Sequence, residues 1–180
     1  QGFIDNTLKD IHDKYEPESA FAIAISPKTG EILGLGQTPA FNPNTQENLS
    51  SAWSNIFYNS AYEPGSTFKT FTMSLMVENN IYKPEAYFRS GSYKVEDATI
   101  FDWNKTGWGT ITQRHGFQQS SNTLMLTLLN ELGTEKLKSG LESFGFGKST
   151  NSLYGNEATG DLVFNNKVST STTVFGQGST

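Results

Sequence analysis

The segment Asn122–Leu132 carries Leu124, Met125, Leu128, Leu129 and Leu132 at helical spacing. Gly133 follows, where glycine commonly ends a helix. A helix this apolar needs other elements packed around it, so the chain must build a layered domain. It has the means: of 180 residues, 35% are hydrophobic and 13% aromatic, enough for a buried core. A second, largely buried helix is predicted over 66–78, with Phe68, Phe71, Leu75 and Met76 on one face. A third starts at Thr134 as its cap, with Leu137, Leu141 and Phe144 in one stripe and Gly145 as its stop.

The N-terminal part reads differently. Ile4, Leu8, Ile11 and Tyr15 make the stripe of an amphipathic helix. Phe21-Ala22-Ile23-Ala24-Ile25 reads as a buried strand, Pro27-Lys28-Thr29-Gly30 as a tight turn, and Glu31-Ile32-Leu33-Gly34-Leu35 as the returning strand. Residues 37–65 are rich in Pro, Asn, Thr and Ser, and a stretch that long is usually functional or partly helical. Residues 92–112 are aromatic and turn-rich, which suggests short strands and loops. Past Thr150 the sequence is polar and irregular. There are no internal repeats, and the length fits one domain of mixed α/β (α+β) type.

Composition removes several function classes. Charged residues are only 17%, and the polarity comes from 19 Ser, 20 Thr and 15 Asn, a profile unlike that of disordered chains. The net charge of −5 argues against a nucleic-acid partner. No apolar run approaches the roughly 18 residues of a membrane helix. Without Cys there is no disulfide, Cys-type zinc cluster or thiol chemistry, and His12 and His115 are too few for most histidine metal sites. The chain starts at Gln1 and ends at Thr180 without a stop signal, which suggests a processed or cut product with a missing C-terminal continuation.

Three segments mimic motifs. Gly145-Phe146-Gly147-Lys148-Ser149-Thr150 resembles a phosphate loop, but Glu142 stands where the first Gly belongs and a helix precedes it. It reads as a helix end and loop. Lys28-Thr29-Gly30 occupies a hairpin turn, upstream of any nucleophile. His115 has no acidic neighbour in sequence to orient it as a base.

The segment that carries chemistry is Tyr62-Glu63-Pro64-Gly65-Ser66-Thr67-Phe68-Lys69. Pro64 and Gly65 break the chain and let a helix start near Ser66. Ser66 and Lys69, three apart, then share a face. A serine hydroxyl needs an adjacent base to act as a nucleophile. A lysine is such a base if burial or a nearby cation lowers its pKa. The Ser66 backbone N–H, at a helix start, would offer one oxyanion donor. Ser-x-x-Lys alone is weak, since a capping Ser and a surface Lys look the same. The apolar helix behind Lys69, and Ser120-Ser121-Asn122 before another buried helix, strengthen it.

Together these motifs resemble the class B penicillin-binding proteins, the peptidoglycan D,D-transpeptidases, of the Gram-positive type. Glu63-Pro64-Gly65-Ser66-Thr67-Phe68-Lys69 is similar to their first motif and Ser120-Ser121-Asn122 to their second. Phe175-Gly176-Gln177-Gly178, Ala98–Trp103 and the Pro27–Glu31 turn are similar to further family segments. The resemblance implies a partial penicillin-binding transpeptidase or serine β-lactamase-like fold, with an N-terminal helix and hairpin and a helical active-site half. It implies Ser66 as nucleophile on a D-Ala-D-Ala stem peptide and Lys69 as its base. Ser120 would pass a proton to the leaving D-Ala, and Asn122 would hold the substrate amide and Lys69. β-Lactams would acylate Ser66. It further implies a glycosyltransferase partner, a membrane-anchored parent facing outside the cell, and no cofactor.

The family's third motif, a Lys-Ser/Thr-Gly strand, is expected after Gly178. Its absence predicts an incomplete catalytic domain with weak activity, and a hairpin edge exposed for pairing with a second copy. The rival readings are a D,D-carboxypeptidase or serine β-lactamase, which use water as acceptor, a β-lactam-sensing domain, and a fragment without a site.

Overall fold

The computed structural model describes residues 1–46, 49, 54–150 and 157–180. They form two compact units, 1–60 with 157–158, and 61–150 with 159–180. No helix among the described residues is long and apolar enough to cross a membrane.

In the first unit, helix α1 (Gly2–Tyr15) lies on the hairpin of β1 (Ala20–Ile25) and β2 (Ile32–Thr38). Gly30 turns the hairpin at φ +74°, as its place in the Pro27–Gly30 turn predicts. A one-turn helix, α2 (Ile56–Asn59), is capped by the Asn55 side chain and supplies the partial helicity expected in 37–65.

Strand β1 exists, but it is not buried. Antiparallel partners point to the same face, and Ala22 pairs with Gly36 and Ala24 with Gly34. That small-residue face meets the helix: a Cβ on Gly36 would fall 2.9 Å from Leu8 Cδ1. Phe21 and Ile23 therefore turn the other way, 41% and 42% exposed. The strand is apolar on both faces, but the helix covers only the small one.

The second unit holds the main core. A short 3-10 turn (Gly65–Phe68) leads into α3 (Lys69–Glu78). Strands β3 (Tyr87–Arg89), β4 (Ser92–Val95), β5 (Ala98–Phe101) and β6 (Thr110–Thr112) follow as two antiparallel ladders, β3 with β6 and β4 with β5. Then come α4 (Gln113–Gln118), α5 (Asn122–Leu132), α6 (Thr134–Ser143) and α7 (Lys167–Thr173). Helix α5 is central as its sequence requires, packing on α3, α4, α6 and three of the four strands. Leu124, Met125 and Leu128 are fully buried. Leu128→Ala is expected to cost about 3–4 kcal/mol of unfolding free energy, read by urea titration, because the rigid neighbours leave a cavity.

Three details depart from the sequence reading. Gly133, not Thr134, is the N-cap of α6, and no side chain caps that helix. Phe71 and Phe144 are 38% and 49% exposed, stacking edge-on at 5.4 Å at the rim of the core. The polar stretch past Thr150 contains α7, whose start is fixed by a capping box between Asn166 and Ser169.

The motif mimics resolve as turns. Gly145 and Gly147 have φ +97° and +72°, and Lys148 Nζ donates to the Glu142 carbonyl at the end of α6. Lys28-Thr29-Gly30 lies in the hairpin turn, and a second Lys-Thr-Gly, 105–107, lies in the turn after β5 rather than on a strand. The His115 ring, at Nε2, lies 3.3 Å from the Gln119 side-chain amide.

Candidate active site

Ser66 sits exposed in the 3-10 turn, whose first N–H groups have no intrahelical partner. The turn's position is set from outside. The Gly65 N–H donates to the Gly176 carbonyl at 2.8 Å, and the Gly178 N–H donates to Glu63 Oε1 at 2.7 Å. The Phe175–Gly178 segment thus clamps the chain immediately before the serine. Within the turn, Thr67 Oγ1 donates to the Pro64 carbonyl at 2.7 Å.

Lys69 opens α3 and points inward, only 2% exposed. Its ammonium donates to the Ser120 carbonyl at 2.5 Å, Asn122 Oδ1 at 2.8 Å and Ser120 Oγ at 3.1 Å. Three acceptors match the three protons of an ammonium. The Phe175 ring lies 5.9 Å from the charge. Burial pulls the Lys69 pKa down to about 8, while the negative charge of Asp102 works in the opposite direction. A lysine so placed can carry or release a proton near neutrality.

The partner turn is held in an unusual conformation. Ser120 has φ +55°, a region that non-glycine residues rarely adopt. This conformation presents both its carbonyl and its hydroxyl to Lys69. Ser121 caps α5, with its Oγ accepting the Leu124 N–H at 3.0 Å. Asn122, the first residue of α5, accepts from Lys69 and donates through Nδ2 to the Phe101 carbonyl at 3.0 Å.

Lys69, Ser120 and Asn122 are therefore brought together by hydrogen bonds. Ser66 shares a turn with Lys69 but makes no hydrogen bond to it, because the ammonium's protons already have other acceptors. Glu63 and Asp102 are the contributors that sequence reasoning missed. The only signals were the Glu at the head of the first motif and the Asp within Ala98–Trp103. A groove of about 370 Å³ between β4, α5, α6 and α7 shares no residue with this cluster. No group of three His, Asp or Glu among the described residues is placed to hold a metal.

Residues 11–180 match the model of the penicillin-binding protein transpeptidase domain. The chain belongs to the penicillin-binding protein transpeptidase family. It is 34% identical over 185 residues to stage V sporulation protein D of Bacillus subtilis, covering 99% of this chain and 29% of that protein. It is 33% identical over 144 residues to peptidoglycan D,D-transpeptidase MrdA of Acinetobacter baumannii, covering 71% of this chain and 21% of that protein. The fold superposes on penicillin-binding protein 2X from Streptococcus thermophilus with TM-score 0.91 and 31% identity, covering 99% of this chain and 27% of that one. A peptidoglycan glycosyltransferase from Burkholderia ambifaria, at TM-score 0.85 and 24% identity, shares the fold, over 99% of this chain and 54% of that one. The chain thus spans under a third of the two curated relatives' length. The mixed α/β transpeptidase fold expected from the motifs is the fold observed.

Proposed function

We propose that this chain carries the nucleophile half of a peptidoglycan D,D-transpeptidase centre, with Ser66 as the acylated residue. The observation that carries the reading is a buried Lys69 with a lowered pKa, tied to Ser120 and Asn122 beside an exposed Ser66.

In this mechanism neutral Lys69 takes the Ser66 proton as Oγ attacks the carbonyl of the penultimate D-Ala. The Ser66 N–H supports the oxyanion. As the peptide C–N bond breaks, the Ser120 hydroxyl protonates the leaving D-Ala nitrogen and regains a proton from the Lys69 ammonium. Asn122 orients the amide of the acyl group. An amine of a second stem peptide then attacks the ester, forms the cross-link and returns the proton to Ser66. A β-lactam enters the same way, but its opened ring stays attached and leaves Ser66 blocked.

The full centre on this reading includes a third-motif strand outside residues 1–180, since both Lys-Thr-Gly sequences within them lie in turns. The working protein would face the cell wall from the outer side of the membrane, beside a glycosyltransferase that supplies glycan strands. The β1–β2 ladder has no further strand among the described residues, which supports pairing with a second copy. A monomeric mass by light scattering at high concentration would exclude that pairing.

The test is intact-mass spectrometry after incubation with benzylpenicillin. One adduct is expected on the parent protein and none on Ser66→Ala. An adduct that survives Ser66→Ala overturns the assignment, as does its absence when the residues following Thr180 in the full protein are present. Rapid loss of the adduct to water would favour a carboxypeptidase or β-lactamase, and persistence favours a transpeptidase or a sensing domain.

A further inference from the structure

Asp102 is a carboxylate that the acyl-transfer steps leave unused. It follows β5 and is 1% exposed. Oδ1 accepts from the Ser121 hydroxyl at 2.9 Å and the Thr123 N–H at 3.0 Å. Oδ2 accepts from the Gly91 N–H at 2.8 Å and the Thr123 hydroxyl at 2.9 Å. Burial pushes its pKa up, but the Thr123 and Gly91 amides and the two hydroxyls outweigh this and hold it below the ordinary carboxylate value. No salt bridge among the described residues involves it. A buried anion without a contacting cation is costly unless several donors hold it. All four donors found here are neutral.

The neighbours of Asp102 grip the same turn. The Phe101 carbonyl accepts from Asn122 Nδ2, and Trp103 Nε1 donates to the Gln119 carbonyl at 3.0 Å. Residues 101–103 thus hold positions 119, 121, 122 and 123. Ser120, with φ +55°, lies between these anchors; its N–H donates to the Phe117 carbonyl at the end of α4 at 2.9 Å, and its carbonyl and hydroxyl accept from Lys69. A strained backbone persists only where its surroundings over-determine it.

We propose that Asp102 is a positioning residue: it holds the Ser120–Asn122 turn in its strained form against Lys69 and lends its negative charge to the lysine's ammonium. The proposal rests on the acyl-transfer reading of Ser66 and Lys69. The other ionisable side chains of α3 and of the helices packed on it are Glu78 on α3, Glu131 on α5, and Glu135, Lys136, Lys138 and Glu142 on α6. Of these all but Glu142 are exposed, and none shifts the Lys69 balance as Asp102 does.

Two readouts test it. The first needs no substrate: the Lys69 Cε resonance is titrated by NMR, assigned with Lys69→Arg. The parent midpoint is expected near 8. Asp102→Asn should lower it by about one unit, as expected for loss of a nearby opposite charge. Ser121→Ala keeps the anion and should leave the midpoint in place. An unchanged midpoint in Asp102→Asn overturns the electrostatic role.

The second readout is the rate of Ser66 acylation by benzylpenicillin against pH. Ser121→Ala should slow it about tenfold at every pH, from loss of the bond to Asp102 and of the α5 cap, with the inflection unmoved. A folded Ser121→Ala protein that labels at the parental rate overturns the positioning role. If Asp102→Asn does not fold, the Ser121→Ala rate decides. If the parent itself never labels, the acyl-transfer reading fails, and the lysine midpoint alone judges Asp102.

Discussion

Lys69→Ala is expected to slow benzylpenicillin acylation of Ser66 by about a thousandfold, within the range of a lost general base. The argument starts from the lysine's surroundings. A free lysine stays protonated until well above neutrality and cannot accept a serine proton. Here burial brings the pKa to about 8, so roughly a tenth of the protein holds a neutral amine at pH 7. The active form lies on the basic side, so the parent's acylation rate should rise with pH and level off above about 9. The Lys69→Ala protein should lose that inflection together with the rate. A flat pH profile in the parent, or a variant that labels as fast, would remove Lys69 from the base's role. The same proton has a consequence for stability. Between about pH 8 and 10.5 the unfolded chain binds more protons at this site than the folded one, so its contribution to stability rises with pH there.

What the sequence made legible follows from what is local. The Ser66–Lys69 spacing and the Ser120–Asn122 triplet each lie within one turn, so spacing could suggest the first pair, while the roles of Ser120 and Asn122 came from the family resemblance. Their meeting across 51 positions follows from α5 packing on α3, which the apolar stripes of both helices imply. The missing Ser66–Lys69 hydrogen bond was not legible, because it depends on acceptors that only the fold delivers to the ammonium. Asp102 was not legible either. Its donors come from Gly91 on one side and from Ser121 and Thr123 at the start of α5 on the other, two separate places in the chain. Helix α7 escaped because Lys-Val-Ser-Thr-Ser-Thr-Thr has few good helix formers. Its cap and the burial of Thr170, Ser171 and Thr173 override that propensity. Strand β1 was legible as a strand but not in its exposure, since apolarity does not reveal which face a helix will choose.

Gly176→Ala is expected to be among the most damaging single methyls in the second unit. Gly176 has φ +79°, where any side chain is strained. An added Cβ would also overlap the Gly65 carbonyl oxygen and lie 2.7 Å from Phe68 Cβ. Neither neighbour can yield cheaply: one is backbone, and the other belongs to a core residue only 3% exposed. Relief requires the two segments to part. Parting breaks the bond from the Gly65 N–H to the Gly176 carbonyl and pulls Phe175 away from the Lys69 charge. The turn before Ser66 then loses the contact that fixes it, and Lys69 becomes more hydrated, which drives its pKa back up. The expected result is a fall in Ser66 acylation of about a hundredfold or more at pH 7, the scale associated with misplacing a reacting group by an ångström. The unfolding free energy should fall by about 2–3 kcal/mol, from overpacking added to backbone strain. Glu63→Gln keeps an acceptor for the Gly178 N–H and should spare most of the rate, whereas Glu63→Ala removes it and should fall between parent and Gly176→Ala. Parental labelling by Gly176→Ala would mean that the Phe175–Gly178 segment only packs against the serine turn and does not position it.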